Sequence, residues 1–316
     1  MKKITKMRKV IYKFKDFLKE RYPFEVRKLT IHTNLGCPHR ENRTGAGGCV
    51  YCYNPGFSDL TTDQPDVPTQ IHQGIIKARN KGFKGKFIAY FQTETNTYAN
   101  IKVLEPWWRE IETYLDDIVG LAIGTRPDCL SKKILSLLSD MGNKFMVWLE
   151  LGLQSAHDRT LEIINRGHDF DCFVNAVNLT KEYENILICA HIILGLPKET
   201  DQDMLFTIQE INRLKLDGVK IHHLQVVKNT VLADWYAQGK VKVFNENEYI
   251  DLLAKLLPFL SSNITVHRLV GDIKQNLLIA PQWHMTKTGV IQLIEDRLKR
   301  EDKIQGQYVD IFPSNR

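Results

Sequence analysis

The chain has 316 residues, of which 43% are hydrophobic and 25% charged, as in an ordinary globular protein that buries a core. No run of about 18 apolar residues occurs, which argues against a membrane span. The amino terminus lacks the apolar region and cleavage site of an export signal. Six cysteines at irregular spacings do not resemble a small secreted disulfide scaffold, so we expect a cytoplasmic protein with free thiols.

The formal net charge of +6 is concentrated near the amino terminus. Residues 1–28 hold eleven Lys or Arg and only three acids, so a polyanionic partner would dock there. In the predicted basic arm, residues 1–26, apolar residues recur at helical spacing: Ile4, Met7, Ile11, Phe14 and Leu18. The lysines between them could be the solvated face of a docked helix, a phosphate-binding face for RNA, or part of a membrane-surface helix.

From residue 27 onward, β-branched apolar runs alternate with helical patterns, which predicts a parallel sheet with right-handed crossovers. The predicted strands are 27–33, 86–92, 118–124, 145–153, 186–194 and 218–227. The predicted helices between them are 69–81, 101–116, 131–141, 158–183 (with room for an interruption) and 201–216. Six such units fit an open doubly wound sheet or a partial barrel, and both place an active site at the carboxyl ends of the strands.

The alternation stops after residue 230, so we expect a barrel domain over 27–230 and a C-terminal α/β extension over 231–316 that packs on it. This extension is predicted to contain helices at 231–238, 246–260 and 286–303 and a strand at 263–269. Four of its residues are candidates to face the substrate cavity: Arg268, Trp283, His284 and Lys287.

A glycine-rich loop after the first predicted strand holds Cys37, Cys49 and Cys52. Three thiolates can hold three irons of a [4Fe–4S] cluster and leave the fourth iron open to a substrate or cofactor. The same thiols together with His39 could instead form a Cys₃His zinc site. Three core cysteines are a further alternative, although a glycine-rich loop is a poor place to bury side chains.

Polar side chains follow the ends of successive predicted strands. The motifs are Gln-Thr-Glu-Thr-Asn-Thr at 92–97, Gly-Thr-Arg-Pro-Asp at 124–128, Glu-Leu-Gly-Leu-Gln-Ser at 150–155, Asn-Arg-Gly-His at 165–168, the stretch 191–200 and His-His-Leu-Gln at 222–225. Each motif alone could be a turn or a helix cap. Their coincidence at one edge predicts an active site, and the chain has no dinucleotide, triphosphate or serine-hydrolase signature.

This ordered set of motifs resembles the radical S-adenosylmethionine (SAM) superfamily over nearly the whole chain. The closing Cys49-Val-Tyr-Cys52, the Gly-Leu-Gln-Ser and Asn-Arg-Gly-His motifs and Gly-Leu-Pro-Lys-Glu-Thr at 195–200 resemble the elongator and coproporphyrinogen dehydrogenase branches. The Thr-Arg-Pro-Asp motif is most similar to the elongator catalytic subunit. Together with Ile279-Ala-Pro281, the combination most resembles the YhcC/YtqA-type subfamily.

The resemblance implies a partial (β/α)₆ radical SAM barrel in which Cys37, Cys49 and Cys52 hold a [4Fe–4S] cluster whose open iron binds SAM. It assigns SAM contacts to six residues: Tyr51, Glu94, Gln154, Arg166, His191 and Leu194. At Glu94 the family's Gly-Gly-Glu pattern is replaced by Gln-Thr-Glu. No catalytic side chain is assigned beyond the cluster ligands.

The implied activity is reductive cleavage of SAM to a 5′-deoxyadenosyl radical, with the electron coming from an external donor. The elongator-like motif and the basic arm indicate tRNA, and not DNA, as the partner. For this subfamily the resemblance implies conversion of a carboxymethylaminomethyl group at C5 of the wobble uridine to aminomethyl. The alternatives are radical SAM chemistry on a small molecule such as a tetrapyrrole, and a non-catalytic zinc-stabilised protein that binds RNA.

Overall fold

The computed structural model describes residues 9–41, 47–53 and 65–309. Its strands are β1 (Val26–Ile31), β2 (Lys86–Phe91), β3 (Ile118–Thr125), β4 (Met146–Gln154), β5 (Ile186–Leu194), β6 (Gly218–His223), β7 (Val226–Val227), β8 (Thr265–Arg268) and β9 (Leu278–Ala280). Strands β1 to β6 and β8 form one parallel sheet in the order β1-β2-β3-β4-β5-β6-β8. Strands β7 and β9 form a small antiparallel pair.

The helices are α1 (Phe14–Arg21), α2 (Val67–Asn80), α3 (Ile101–Arg109), α4 (Lys132–Gly142), α5 (Asp158–Ile163), α6 (Phe170–Lys181), α7 (Asp201–Arg213), α8 (Val231–Ala237), α9 (Glu246–Leu256) and α10 (Lys287–Arg300). Capping boxes begin α7 at Thr200 and α9 at Asn245, where side chain and backbone bond reciprocally. The predicted helix at 246–260 ends at Leu256, because Pro258 has no backbone N–H to continue it.

The strand order decides between the two predicted architectures. A doubly wound sheet reverses its strand order at a switch point, whereas here β1 to β6 follow one another as in the chain. The fold is therefore the partial α/β barrel. Its seventh strand, β8, pairs with β6 and comes from the predicted C-terminal extension, so the sheet continues beyond residue 230.

The predicted strand at 218–227 was too long. Strand β6 ends at His223, and the following Leu224 N–H still donates to the carbonyl of Leu194 at 2.9 Å. Val226 and Val227 then pair with β9 in the second sheet. The run is apolar throughout, and apolar composition does not reveal a change of pairing partner.

The predicted amino-terminal helix is shorter in the structure. Residues 1–8 lie outside the described part of the chain, and residues 9–13 are not helical because Lys13 forms a β-bridge with Val266. Helix α1 begins at Phe14, and the rings of Phe14 and Phe17 pack edge-on against Trp148 at 5.6 and 5.5 Å. The apolar side of α1 is thus docked on the barrel.

Two of the lysines that one alternative assigned to a phosphate-binding face are engaged within the protein. Lys9 Nζ lies 2.7 Å from a carboxylate oxygen of Glu20, and Lys13 forms an ion pair with Glu295. Lys15 and Lys19 remain exposed on α1. No helix within the described ranges is long and apolar enough to cross a membrane.

Successive side chains of each barrel strand point to opposite faces of the sheet, one toward the outer helices and one toward the barrel interior. On β4, residues at odd positions such as Leu149 and Leu151 face the large core beneath the outer helices. The even positions face the barrel interior, where an apolar layer includes Ile88, Met146 and Trp148. Further toward the carboxyl ends, the interior side chains become polar and line an open cavity.

Candidate active site

A cavity of about 500 Å³ lies at the carboxyl ends of the barrel strands. The three cysteines of the glycine-rich loop line it, together with five of the six residues predicted to contact SAM: Tyr51, Glu94, Gln154, Arg166 and His191. The structure thus brings together residues from five separate stretches of the sequence, as expected for strand ends that meet at one edge of a sheet.

Leu194 is the predicted SAM contact that does not reach the cavity. Its side chain is 1% exposed and belongs to the core beneath the helices. Along β5, His191 points into the barrel, so the alternation of the strand directs Leu194 three positions later to the opposite face. The role assigned to its side chain is therefore not supported.

The Asn-Arg-Gly-His motif forms a turn that holds the cysteine loop. The Val50 N–H donates to the carbonyl of Ile164 at 3.0 Å, and the Asn165 side-chain amide donates to the carbonyl of Gly48 at 2.7 Å. His39 Nε2 lies 2.6 Å from the carbonyl of Asn165. Three contacts therefore tie both halves of the loop to this turn.

Gly167, the next residue of the turn, has a positive φ of +75°. A Cβ atom at this position would lie 2.5 Å from the His39 ring, so the turn and the ring can pack together only around a glycine. Gly47 and Gly48 in the cysteine loop also have positive φ, of +71° and +92°.

Arg166 carries the charged side chain of the same turn into the cavity. Its guanidinium donates from Nη2 to the carbonyl of Gly152 at 2.7 Å and places Nη1 3.7 Å from the sulfur of Cys49. Within the described part of the chain, Arg166 Nε is buried and has no hydrogen-bond partner. An anionic group bound in the cavity would satisfy this donor.

Glu94 is held on the other side of the cysteine loop. Its carboxylate accepts from the Gly36 N–H at 2.6 Å and from Arg40 Nη2 at 3.0 Å. Glu94 also lines the cavity, which places its carboxylate where an ammonium group bound there could donate to it.

The donor set fits a cluster better than the alternative zinc site. His39 is the fourth ligand of the alternative zinc site, but its Nε2 atom already contacts the carbonyl oxygen of Asn165. A [4Fe–4S] cluster distributes its cysteines over separate irons. Burial, reinforced by Cys49, raises the pKa of the Cys52 thiol to about 12, and metal coordination would deprotonate it.

The barrel interior also contains a buried ionic network that the sequence analysis did not identify. Glu150 on β4 is 0% exposed, accepts a hydrogen bond from Lys28 Nζ at 2.8 Å and forms an ion pair with Lys220 of β6. Lys220 Nζ also donates to the Tyr90 hydroxyl at 2.6 Å. His191 Nε2 lies 3.0 Å from Glu150, so this predicted SAM ligand also belongs to the network.

The charges of this network shift the pKa values of its members. Burial alone would raise the pKa of Glu150, but Lys220 and Lys28 hold it well below its usual range. Burial lowers the pKa of Lys220, although Glu150 opposes that shift. Burial, reinforced by Lys220, lowers the pKa of His191 to about 4, so its ring is neutral near pH 7. The sign of this network in the sequence was an acid, Glu150, and a lysine, Lys220, inside otherwise apolar strands.

Of the four candidates from the C-terminal extension, Arg268 lines the cavity and the other three do not. The ring of Trp283 stacks on His223 at 4.1 Å, and its Nε1–H donates to the carbonyl of Phe244 at 3.1 Å. Lys287 forms an ion pair with Asp272, which itself lines the cavity.

Comparison with known proteins confirms the predicted family. Residues 20–211 match the Radical SAM superfamily, and residues 216–300 match the Radical_SAM C-terminal domain. The chain is 35% identical over 292 residues to the uncharacterized protein YtqA of Bacillus subtilis (strain 168). That alignment covers 92% of this chain and 90% of YtqA.

More distant similarities involve elongator-like proteins, as the Thr-Arg-Pro-Asp motif indicated. The chain is 28% identical over 189 residues to a tRNA uridine(34) acetyltransferase of Dehalococcoides mccartyi (strain CBDB1), covering 59% of this chain and 40% of that protein. The structure of archaeal Elp3 from Methanocaldococcus infernus, with an N-terminal deletion, superposes with a TM-score of 0.69 at 18% identity. This superposition covers 89% of this chain and 64% of that one, and it shows a shared fold.

Proposed function

Because this chain belongs to the radical SAM superfamily, whose members use a [4Fe–4S] cluster and SAM, we propose that Cys37, Cys49 and Cys52 are its cluster ligands. The observation that carries this assignment is the convergence of the three thiols and the Arg166 guanidinium on one cavity. The cluster and SAM, when bound, supply a 5′-deoxyadenosyl radical for hydrogen abstraction, with one electron from an external donor. The chain itself positions both groups and excludes water.

Within this proposal, each SAM-contacting residue has a distinct task. Arg166 pairs with the SAM carboxylate, since its buried Nε needs an acceptor and a guanidinium suits a carboxylate bidentately. Glu94 accepts from the SAM ammonium, and Gln154 and Tyr51 contribute the remaining polar and aromatic contacts. His191 uses the ring nitrogen that does not face Glu150 for any ribose contact.

We further propose that the substrate is tRNA and that the reaction converts carboxymethylaminomethyl to aminomethyl at C5 of the wobble uridine. The carbon beside the carboxylate would lose one hydrogen atom to the 5′-deoxyadenosyl radical, then one electron to a one-electron acceptor and one proton, which leaves an imine. Water would hydrolyse this imine, breaking the bond from carbon to nitrogen and releasing the two-carbon unit as glyoxylate. Similarity to a tRNA uridine(34) acetyltransferase over 189 residues supports a tRNA substrate modified at that position. The excess of positive charge over residues 1–28 supports a polyanionic partner. A cytoplasmic location, where tRNA would be met, remains a prediction.

The test combines a cofactor assay with nucleoside analysis. Protein reconstituted anaerobically with iron and sulfide receives SAM, dithionite and tRNA that carries carboxymethylaminomethyluridine. We expect 5′-deoxyadenosine together with aminomethyluridine, and neither product from the Cys37→Ala, Cys49→Ala or Cys52→Ala proteins. Mass spectrometry of the digested tRNA identifies the product.

Two results would contradict parts of this proposal separately. Formation of 5′-deoxyadenosine with unchanged tRNA would reject the tRNA reaction and favour a small-molecule substrate such as a tetrapyrrole. A preparation that holds one zinc per chain and cleaves no SAM would reject the radical assignment and favour a zinc-stabilised binding protein.

A further inference from the structure

The cavity has two chemically different ends. The thiolate end is formed by Cys37, Cys49, Cys52 and Arg166, and the basic end by Tyr90, Glu150, His191, Lys220, His222 and Arg268. The thiolate end has an assigned occupant in the cluster and SAM. The basic end lies on the side formed by β2, β4, β5, β6 and β8. Apart from His191, whose second ring nitrogen was given to the SAM ribose, none of its side chains has yet been assigned a ligand.

Arg268 is the side chain at the basic end whose charge is not compensated. It is the last residue of β8 and pairs in register with Lys220 of β6, so both cations lie side by side at the cavity wall. Arg268 is half-buried. Among the residues that the structure describes, it has no ion pair and no hydrogen bond, in contrast to Arg126, which is paired with Asp128 at 2.9 Å.

The acids near Arg268 are already engaged elsewhere. Glu150 is held by Lys28 and Lys220, and Asp272 is paired with Lys287. His191 and His222 also face this end, and both are neutral near pH 7, because burial lowers the pKa of each ring and nearby cations reinforce the effect. The basic end therefore carries a net positive charge that a ligand anion would balance.

We propose that Arg268 binds a carboxylate of the substrate, so that the basic end recognises the carboxymethyl group that distinguishes the substrate from its aminomethyl product. This inference rests on the proposed function. The planar guanidinium fork matches a carboxylate with two parallel hydrogen bonds, and the neighbouring neutral imidazoles offer no competing charge. With its carboxylate at the basic end, the side chain of the nucleoside would extend toward the thiolate end, where hydrogen abstraction is expected.

SAM also carries a carboxylate, so the cavity would hold two carboxylates, one from SAM and one from the substrate. Arg166 contacts Cys49 and belongs to the thiolate end, whereas Arg268 acts electrostatically on Tyr90, His191, Lys220 and His222. This separation assigns the SAM carboxylate to Arg166 and the substrate carboxylate to Arg268.

The test measures binding of two tRNAs to the cluster-reconstituted protein without SAM. One tRNA carries carboxymethylaminomethyluridine and the other aminomethyluridine, which lacks the carboxylate. We expect the wild-type protein to prefer the first by roughly 10- to 100-fold, as for a hydrogen bond to a charged group. Arg268→Gln should abolish the preference, and Arg268→Lys should retain part of it because it keeps the charge without the fork.

A matched control is Arg213→Gln, which removes an exposed arginine paired with Glu210 on α7 and should keep the full preference. Affinity for SAM alone should be unchanged in Arg268→Gln. If SAM affinity falls instead and the tRNA preference persists, Arg268 serves the SAM carboxylate and the inference is wrong.

The outcome also separates this inference from the proposed function. If the wild-type protein converts the tRNA but Arg268→Gln keeps the preference, the inference fails and the function stands. If the wild-type protein neither converts the tRNA nor prefers the carboxylate-bearing form, the proposed function fails, and the inference falls with it.

Discussion

The guanidinium of Arg166 lies 3.7 Å from the sulfur of Cys49, although 117 positions separate the two residues in the chain. The contact is possible because the two residues before Arg166, Ile164 and Asn165, are hydrogen-bonded to the cysteine loop. One short turn thus fixes the loop and directs a cation to the place where SAM would bind.

Replacing Arg166 with Gln should weaken SAM binding while leaving the cluster in place. We expect a loss of roughly 10- to 100-fold in affinity, because a charged hydrogen-bond donor is removed. Equilibrium binding of SAM to the reconstituted protein measures this. The matched control is Arg159→Gln, an exposed arginine paired with Asp203, which should bind SAM normally. Equal SAM affinity in the two variants would reject the role of Arg166.

Replacing Cys49 with Ala should prevent assembly of a complete [4Fe–4S] cluster. Only two thiols of the loop would remain, and the visible absorption and iron content after anaerobic reconstitution should fall accordingly. Cys172→Ala is the control, because Cys172 on α6 does not line the cavity. Full iron content in Cys49→Ala would show that this cysteine is not a ligand.

The Gly167 turn can be tested through stability alone. Gly167→Ala should lower the free energy of unfolding by strain at a φ of +75° and by contact of the new Cβ with the His39 ring. Gly239→Ala is the control, since Gly239 has a φ of +69° but no atom within 4 Å of its Cβ position. The control should cost roughly 1–2 kcal/mol, and Gly167→Ala clearly more. If urea denaturation shows that both variants lose the same free energy of unfolding, the His39 ring moves aside to accept the new Cβ.

Sequence patterns were sufficient for the parallel sheet because their signals are local, whereas the choice of a barrel over a doubly wound sheet came from the family resemblance. Each buried parallel strand is a short apolar run, and the motifs that end these strands contain the polar side chains of the cavity. The interruption allowed between 158 and 183 is present, with α5 ending at Ile163 and α6 beginning at Phe170. Position relative to a strand end indicated a shared site for Gln154 and Glu94, and the family resemblance added Arg166, which lies in the turn after α5.

The errors arose where side-chain direction or pairing partner decides the structure. Leu194 was placed in the site by its motif, yet strand alternation turns it toward the core. The phosphate-binding alternative for the basic arm did not anticipate that Lys9 and Lys13 form ion pairs with Glu20 and Glu295. Glu150 and Lys220 meet across 70 positions of sequence, and nothing in either local pattern indicates the other.

Removing the Glu150 carboxylate should destabilise the protein strongly at neutral pH. Glu150→Gln leaves Lys28 and Lys220 without their counter-charge inside the barrel, and breaking a buried ion pair in this way costs about 3–5 kcal/mol. Glu25→Gln is the control, because Glu25 and its partner Arg27 are both more than half exposed, and it should cost at most about 1 kcal/mol. Urea denaturation at pH 7 measures both effects.

The pH dependence of this difference follows from the lowered pKa of Glu150. A carboxylate whose folded-state pKa lies below its unfolded value near 4.5 stabilises the fold fully above that pH. The contribution is lost as the pH falls through the folded-state pKa. The gap in unfolding free energy between wild type and Glu150→Gln should therefore be present at pH 5 and narrow in stronger acid. A gap below 1 kcal/mol at pH 7, or one that does not narrow below about pH 4, would show that Glu150 is not the anion that holds Lys28 and Lys220.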